Sequence, residues 1–176
     1  MTWTSFHRRG DVLRAVVAAA DERRDGVLPR DVEGITDTFA DDLELLGALQ
    51  LKWHTRLAGR IEREQLHQPM DLRAAVVRAW QQTATELPGI RAVIDRHREH
   101  PGDAGTDEIM RKSAAKERVL LAVMAGEASA ADHSAVAAGA RIEDEARETL
   151  AAAATAPEHD LTRSSFLGRL KAALAA

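Results

Sequence analysis

Apolar residues recur every three or four positions through most of the chain, the spacing that puts side chains on one face of a helix. The longest unbroken run is Phe39 to His67, where Phe39, Leu43, Leu46, Gln50, Trp53, Leu57, Ile61 and Glu64 share a stripe. At about 1.5 Å per residue such a helix extends roughly 40 Å, enough for the spine of a bundle. Along the stripe, Leu43, Leu46 and Trp53 give way to Arg60, Glu64 and His67. Thr36 or Asp37 is the predicted cap at its start, and Pro69 ends it, because a residue before proline is pushed out of helical angles.

The same periodicity predicts the neighbours of the spine. Phe6, Leu13, Val16, Val17 and Ala20 define a first helix from Ser5 to about Arg24, closed near Gly26 and followed by a connector containing Pro29 and Gly34. After the spine, Asp71 caps a helix with Leu72, Val76, Trp80, Thr83 and Leu87 inward. Pro88-Gly89 interrupts it, and Ile90, Val93, Ile94 and His97 continue as a kinked extension or a separate helix. Beyond the loop 100–107, Thr106 is the predicted cap of a helix to about Ala125, with Ile109, Met110, Ser113, Leu120, Leu121 and Met124 inward and Gly126 as its stop. Glu117 falls inside that apolar arc. A last long helix is predicted from Ser129, and its inner face of Ala131, Ala135, Ala138, Gly139, Ile142, Ala146 and Leu150 is small enough for a neighbouring backbone to come close.

No segment shows period-2 alternation and no repeat is visible, so the expected fold is an all-α, single-domain antiparallel helical bundle of about five or six helices over 1–156. Residues 157–176 form a separate amphipathic tail carrying Phe166, Leu167, Leu170 and Leu174, too short to be a stable helix alone. It is expected to dock on the bundle, to be exchanged between subunits, or to fray.

Composition narrows the chemistry. The 45% apolar and 30% charged residues are ordinary for a soluble domain, and the heavy use of Ala and Arg without Tyr suits a GC-rich bacterial genome. With no Cys, disulfides, thiolates and Cys-based metal sites are all excluded, and a cytoplasmic setting is expected. Signs are interleaved around a net charge of -4, which offers no surface for nucleic acid. Asp11 and Arg14 break up any secretory signal, and no run approaches the ~20 apolar residues of a membrane span.

The sharpest candidate chemistry lies at the polar end of the spine. Glu64-Gln65-Leu66-His67 is a Glu-x-x-His pair, the spacing by which ferritin-like di-metal proteins aim a carboxylate and an imidazole into one cavity. Glu117 would add a carboxylate from another helix, making Glu64, His67 and Glu117 a candidate metal set for iron or manganese. Against it, none of the histidines at 7, 54, 97, 100, 133 and 159 has a Glu three positions before it, so the second pair is missing. The competing account is that the last turns of the spine are solvated or salt-bridged and that Glu117 pairs with a cation from a facing helix, as buried charges must.

Weaker patterns are also present. Asp21, Asp25, Gly26 and Leu28 match part of a calcium loop, but Arg23 and Val32 occupy its third and twelfth positions. Asp95, His97, Glu99, His100 and Asp103 gather at a helix end, and Trp53, Trp80 and Met124 offer a possible pocket lining, though such stripes are more often core. His54 lies at the edge of the spine stripe, a boundary position more than a ligand or base. No phosphate loop or nucleophile elbow is present. The expected function is therefore non-enzymatic, a bundle acting through association as a homo-oligomer, with a dimer favoured. The alternative is a ferritin-like metal-binding protein or oxidase.

Overall fold

Three aspartates decide where three of the longer helices begin. The side chains of Asp41, Asp71 and Asp103 accept backbone N–H bonds from Glu44, Ala74 and Thr106, satisfying donors that have no partner inside the helix and placing negative charge at its positive end. The computed structural model describes residues 3–155, with side chains from Arg8 onward. Its helices are α1 (Trp3–Arg23), α2 (Ile35–Thr38), α3 (Asp42–His67), α4 (Leu72–Glu86), α5 (Pro88–Glu99), α6 (Ala104–Met124) and α7 (Ala135–Thr155). The all-α bundle is as expected, with one helical turn, α2, in addition to six longer helices. Among the described residues there is no strand, and no helix is long and apolar enough to cross a membrane.

Several boundaries differ from the sequence expectation. The spine α3 is capped by Asp41 and not by Thr36 or Asp37, because Gly34, at φ 82°, opens the separate turn α2 and Phe39 then runs extended. The carboxylate of Glu44 reaches back to the N–H of Ala40 at 2.7 Å, which fixes the start. Thr106 does not cap α6; its hydroxyl donates to Asp103, the true cap, at 2.8 Å. Gly126, at φ 73°, does stop α6, and the N–H of Glu127 bonds back to the carbonyl of Ala122. From there the chain must reverse, so Ser129 and Asp132 form turns and α7 starts only at Ala135.

Leu87 serves as C-cap of α4 and N-cap of α5, and Pro88 takes the first helical position, where its missing N–H costs nothing. Thus α5 is a separate helix. The most extensive pairings are α6 with α7 and α3 with α4, while α5 joins α1 to α6. Two glycines permit the closest approaches. A Cβ at Gly139 would lie 1.8 Å from the carbonyl oxygen of Arg118, and one at Gly89 would lie 2.1 Å from the carbonyl carbon of Ala20. The small face foreseen for α7 accordingly presses α7 onto α6, with Ala135, Ala138, Ile142 and Ala146 buried beside Gly139.

The core is centred on α3. Leu45, Leu46, Leu49, Trp53, Leu57 and Ile61 are buried, whereas Leu43 is only half-buried, so the inward face is rotated slightly from the predicted stripe. Trp80, Ile90, Ile94, Met110, Leu121 and Ile142 complete it from the other helices. The side chain of Phe6 and the tail 157–176 lie outside the described residues.

Candidate functional site

On α5, Arg91, Asp95 and Arg98 follow one another at helical spacing beside the apolar positions Ile90 and Ile94. Glu117 of α6 and Glu143 of α7 face them, and they are 1% and 2% exposed. Burying a carboxylate this deeply requires partners, because an unpaired charge away from water is far too costly.

The partners form a closed circuit of alternating sign. Arg91 donates Nη1 to Oε1 of Glu117 at 3.3 Å and Nη2 to Oδ1 of Asp95 at 2.6 Å. Asp95 then accepts both terminal nitrogens of Arg147, at 3.0 and 2.8 Å. Arg147 passes on to Oε1 of Glu143 at 2.8 Å, and Arg98 closes the ring with Nη1 on that same oxygen at 3.2 Å and Nη2 on Oε2 of Glu117 at 2.6 Å. Arg118 covers the remaining oxygen of Glu143 at 3.1 Å. Trp80 donates its indole N–H to Glu117 at 3.3 Å. Each of the six carboxylate oxygens therefore accepts at least one hydrogen bond from the chain.

Aromatic faces support the cations. The guanidinium of Arg91 lies 4.8 Å from the ring centroid of Trp53 and that of Arg147 lies 4.9 Å from Trp80, while the two indoles meet edge to face at 5.9 Å. The electrostatics follow from this packing. Burial alone would push the Glu117 carboxyl up, but His54 and the Arg91 and Arg98 guanidiniums outweigh it and hold the group well below the ordinary carboxylate range. Asp95 is likewise lowered, with burial opposed and overcome by Arg147 and Arg91. For Arg147, burial is overcome by Asp95 and Glu143, which raise it further. These groups are fixed as ions, so none is poised to exchange a proton near neutrality.

The candidate metal residues are placed apart. Glu117 sits in the ring, 3.7 Å from Nε2 of His54, and His54 precedes Glu64 on α3 by ten residues, roughly 15 Å of helix. Glu64 instead faces Nε of Arg78 at 3.4 Å, and His67 is exposed in the last turn of α3. Among the described residues, no group of three or more His, Asp and Glu side chains is arranged to hold a metal ion.

The weaker patterns are dispersed in the same way. Asp21 accepts the N–H of Gly89 at 2.7 Å, Asp25 that of Val27 at 2.9 Å, and Arg23 pairs with Asp31, so the calcium-like letters serve as a helix junction and a turn. Asp95 belongs to the ring, His97 bonds the carbonyl of Val93 and Asp103 caps α6. Trp53 and Trp80 pack into the core against each other.

What periodicity did not identify is the partner set of Glu117. Arg91, Asp95 and Arg98, and likewise Glu143 and Arg147, have a visible signal in their spacing of three or four residues next to apolar positions, but most stripes of that kind are solvated faces. The charged residue inside the α6 arc was the better pointer.

One other surface stands out, a groove of about 870 Å³ between α1 and α3 that ends at the α4–α5 junction. Leu13, Gly47, Ala48, Leu51 and Leu87 give it an apolar floor. Ion pairs mark its edges, Arg9 with Glu44 at 2.8 Å and Arg56 with Glu86 at 2.5 Å. Leu51 is 68% exposed, and a Cβ on Gly47 would meet nothing within 4 Å, so this strip of the spine has no covering helix among the described residues. No family model, curated protein or solved structure matches the chain, which leaves its own geometry to carry the functional reading.

Proposed function

We propose that this protein works by association and not by catalysis, forming a homodimer through the groove on α3. The observation that carries this reading is the apolar strip of exposed Leu51 and half-buried Gly47 and Ala48 on the central helix of the core. A helix whose opposite face supplies Leu49, Trp53 and Leu57 to the core is held rigidly, and rigid concave apolar surfaces favour binding because little order is lost when a partner arrives. The charged ring supports the same conclusion from the other side. Its carboxylates are saturated by guanidiniums, which suits bracing of α5, α6 and α7 and leaves no free base or open ligand. A cysteine-free chain fits a cytoplasmic setting for such a dimer.

The test is the native mass in solution. Sedimentation of the full chain should give twice the 19.2 kDa of one copy, and Leu51→Arg should shift the population to monomer without loss of helical signal. A wild-type chain that stays monomeric up to about 100 µM, well above the affinity expected of a standard-sized interface, would overturn the proposal. So would a Leu51→Arg variant that dimerises as well as the wild type.

A further inference from the structure

We infer that the occupant of this groove is the chain's own C-terminal segment, residues 166–174; the inference rests on reading the groove as a docking surface. A dimer with symmetric contacts cannot be made by pressing two concave grooves together, since each needs a convex apolar element to fill it. The sequence supplies one. Phe166, Leu167, Leu170 and Leu174 would fall on one side of a helical repeat. From Phe166 to Leu174 this stripe would be roughly 12 Å long as a helix. The open strip on α3, from Glu44 to Arg56, measures roughly 18 Å by the same rise. An apolar face that cannot stabilise a short helix alone and a longer groove with no covering helix among the described residues complement each other. Gly47 and Ala48 leave room for a helix backbone to approach closely.

Reach permits the contact. Gln81 of α4 donates to Thr149 of α7 at 2.6 Å, and Leu87 at the groove and Thr155 at the end of α7 each lie six residues further on. Their Cα atoms are therefore within roughly 30 Å of one another. Residues 156–165 can span up to about 35 Å when extended, so the segment can enter the groove of its own chain or that of a second copy. At the edges of the groove Arg9 and Arg56 are already paired with Glu44 and Glu86 and Lys52 adds one further cation, so the match is apolar more than ionic.

The absence of cysteine makes the test direct. In the full chain, Leu51→Cys combined with Leu170→Cys should form a disulfide on mild oxidation at least about ten times faster than Leu66→Cys combined with Leu170→Cys, Leu66 being an 83% exposed position toward the other end of α3. The disulfide supports the inference whether it links one chain or two. A link within one chain, together with monomeric mass, would leave this inference standing while removing the homodimer. A dimer in which Leu51→Cys and Leu170→Cys do not pair would do the reverse. Equal rates for the two cysteine pairs, or no disulfide in the first, overturn the inference. As a second measurement, Leu170→Asp in the full chain should raise the rate at which Leu51→Cys alone is labelled by a maleimide by several-fold; an unchanged rate counts against occupancy.

Discussion

Arg98 of α5 donates to Glu117 of α6 at 2.6 Å, and the carboxylate that receives it is 1% exposed. The pair holds two helices at a fixed register, since either group left alone would be a buried charge. Glu117→Ala should therefore cost about 3–5 kcal/mol, the usual range for removing one member of a buried pair. Urea unfolding monitored by circular dichroism checks this. A loss under about 1 kcal/mol would show that Arg91 and Arg98 find water or other acceptors when Glu117 is gone.

Acid should weaken the fold through the same residues. Glu117 and Asp95 have folded values below their ordinary ones, so the stabilisation they contribute is complete above the unfolded carboxylate range, near pH 4, and is lost as pH falls below it toward the folded values. Midpoints of urea unfolding should be flat from pH 7 to about 5 and fall steeply toward pH 3. In Glu117→Gln, which cannot ionise, the curve should start lower and fall less. Parallel curves for the two proteins would remove Glu117 from the account.

Glycines in helices should respond in opposite directions according to what lies above them. Gly139→Ala drives a methyl into the carbonyl of Arg118 and should destabilise by about 2 kcal/mol or more through separation of α6 and α7. Gly59→Ala, on α3 with nothing within 4 Å, should stabilise by about 0.5–1 kcal/mol from helix propensity alone. Thermal denaturation of the two variants gives the comparison.

Iron or manganese supplementation should leave untagged protein with far less than one equivalent of metal by elemental analysis. Glu64 faces Arg78 and Glu117 is taken up by Arg91 and Arg98, which leaves His67 as an exposed lone imidazole. One equivalent bound in wild type and lost in Glu64→Ala, His67→Ala and Glu117→Ala alike would restore the ferritin-like reading.

Periodicity alone was enough to give the helical class, the spine, the cap at Asp71, the stops at Pro69 and Gly126 and the small face of α7. These features depend on near neighbours in the chain, where backbone geometry and helical spacing leave few alternatives. The caps at Asp41 and Asp103 were less legible because several short polar residues lay within one turn of each start, and tertiary packing chose among them.

Only the tertiary structure decided what Glu117 does. Its sequence position marked it as a charge in an apolar arc, which fits a metal ligand and a buried ion pair equally well. Arg98 is nineteen positions away, Glu143 twenty-six, and Arg147 meets Asp95 across fifty-two. No local pattern fixes partners at such separations; the close approach of α6 to α7 at Gly139 and the packing of α5 against α6 bring them together. Sequence determined which residues could form helices and which faces had to be buried, while packing determined that the buried acid would be matched by guanidiniums.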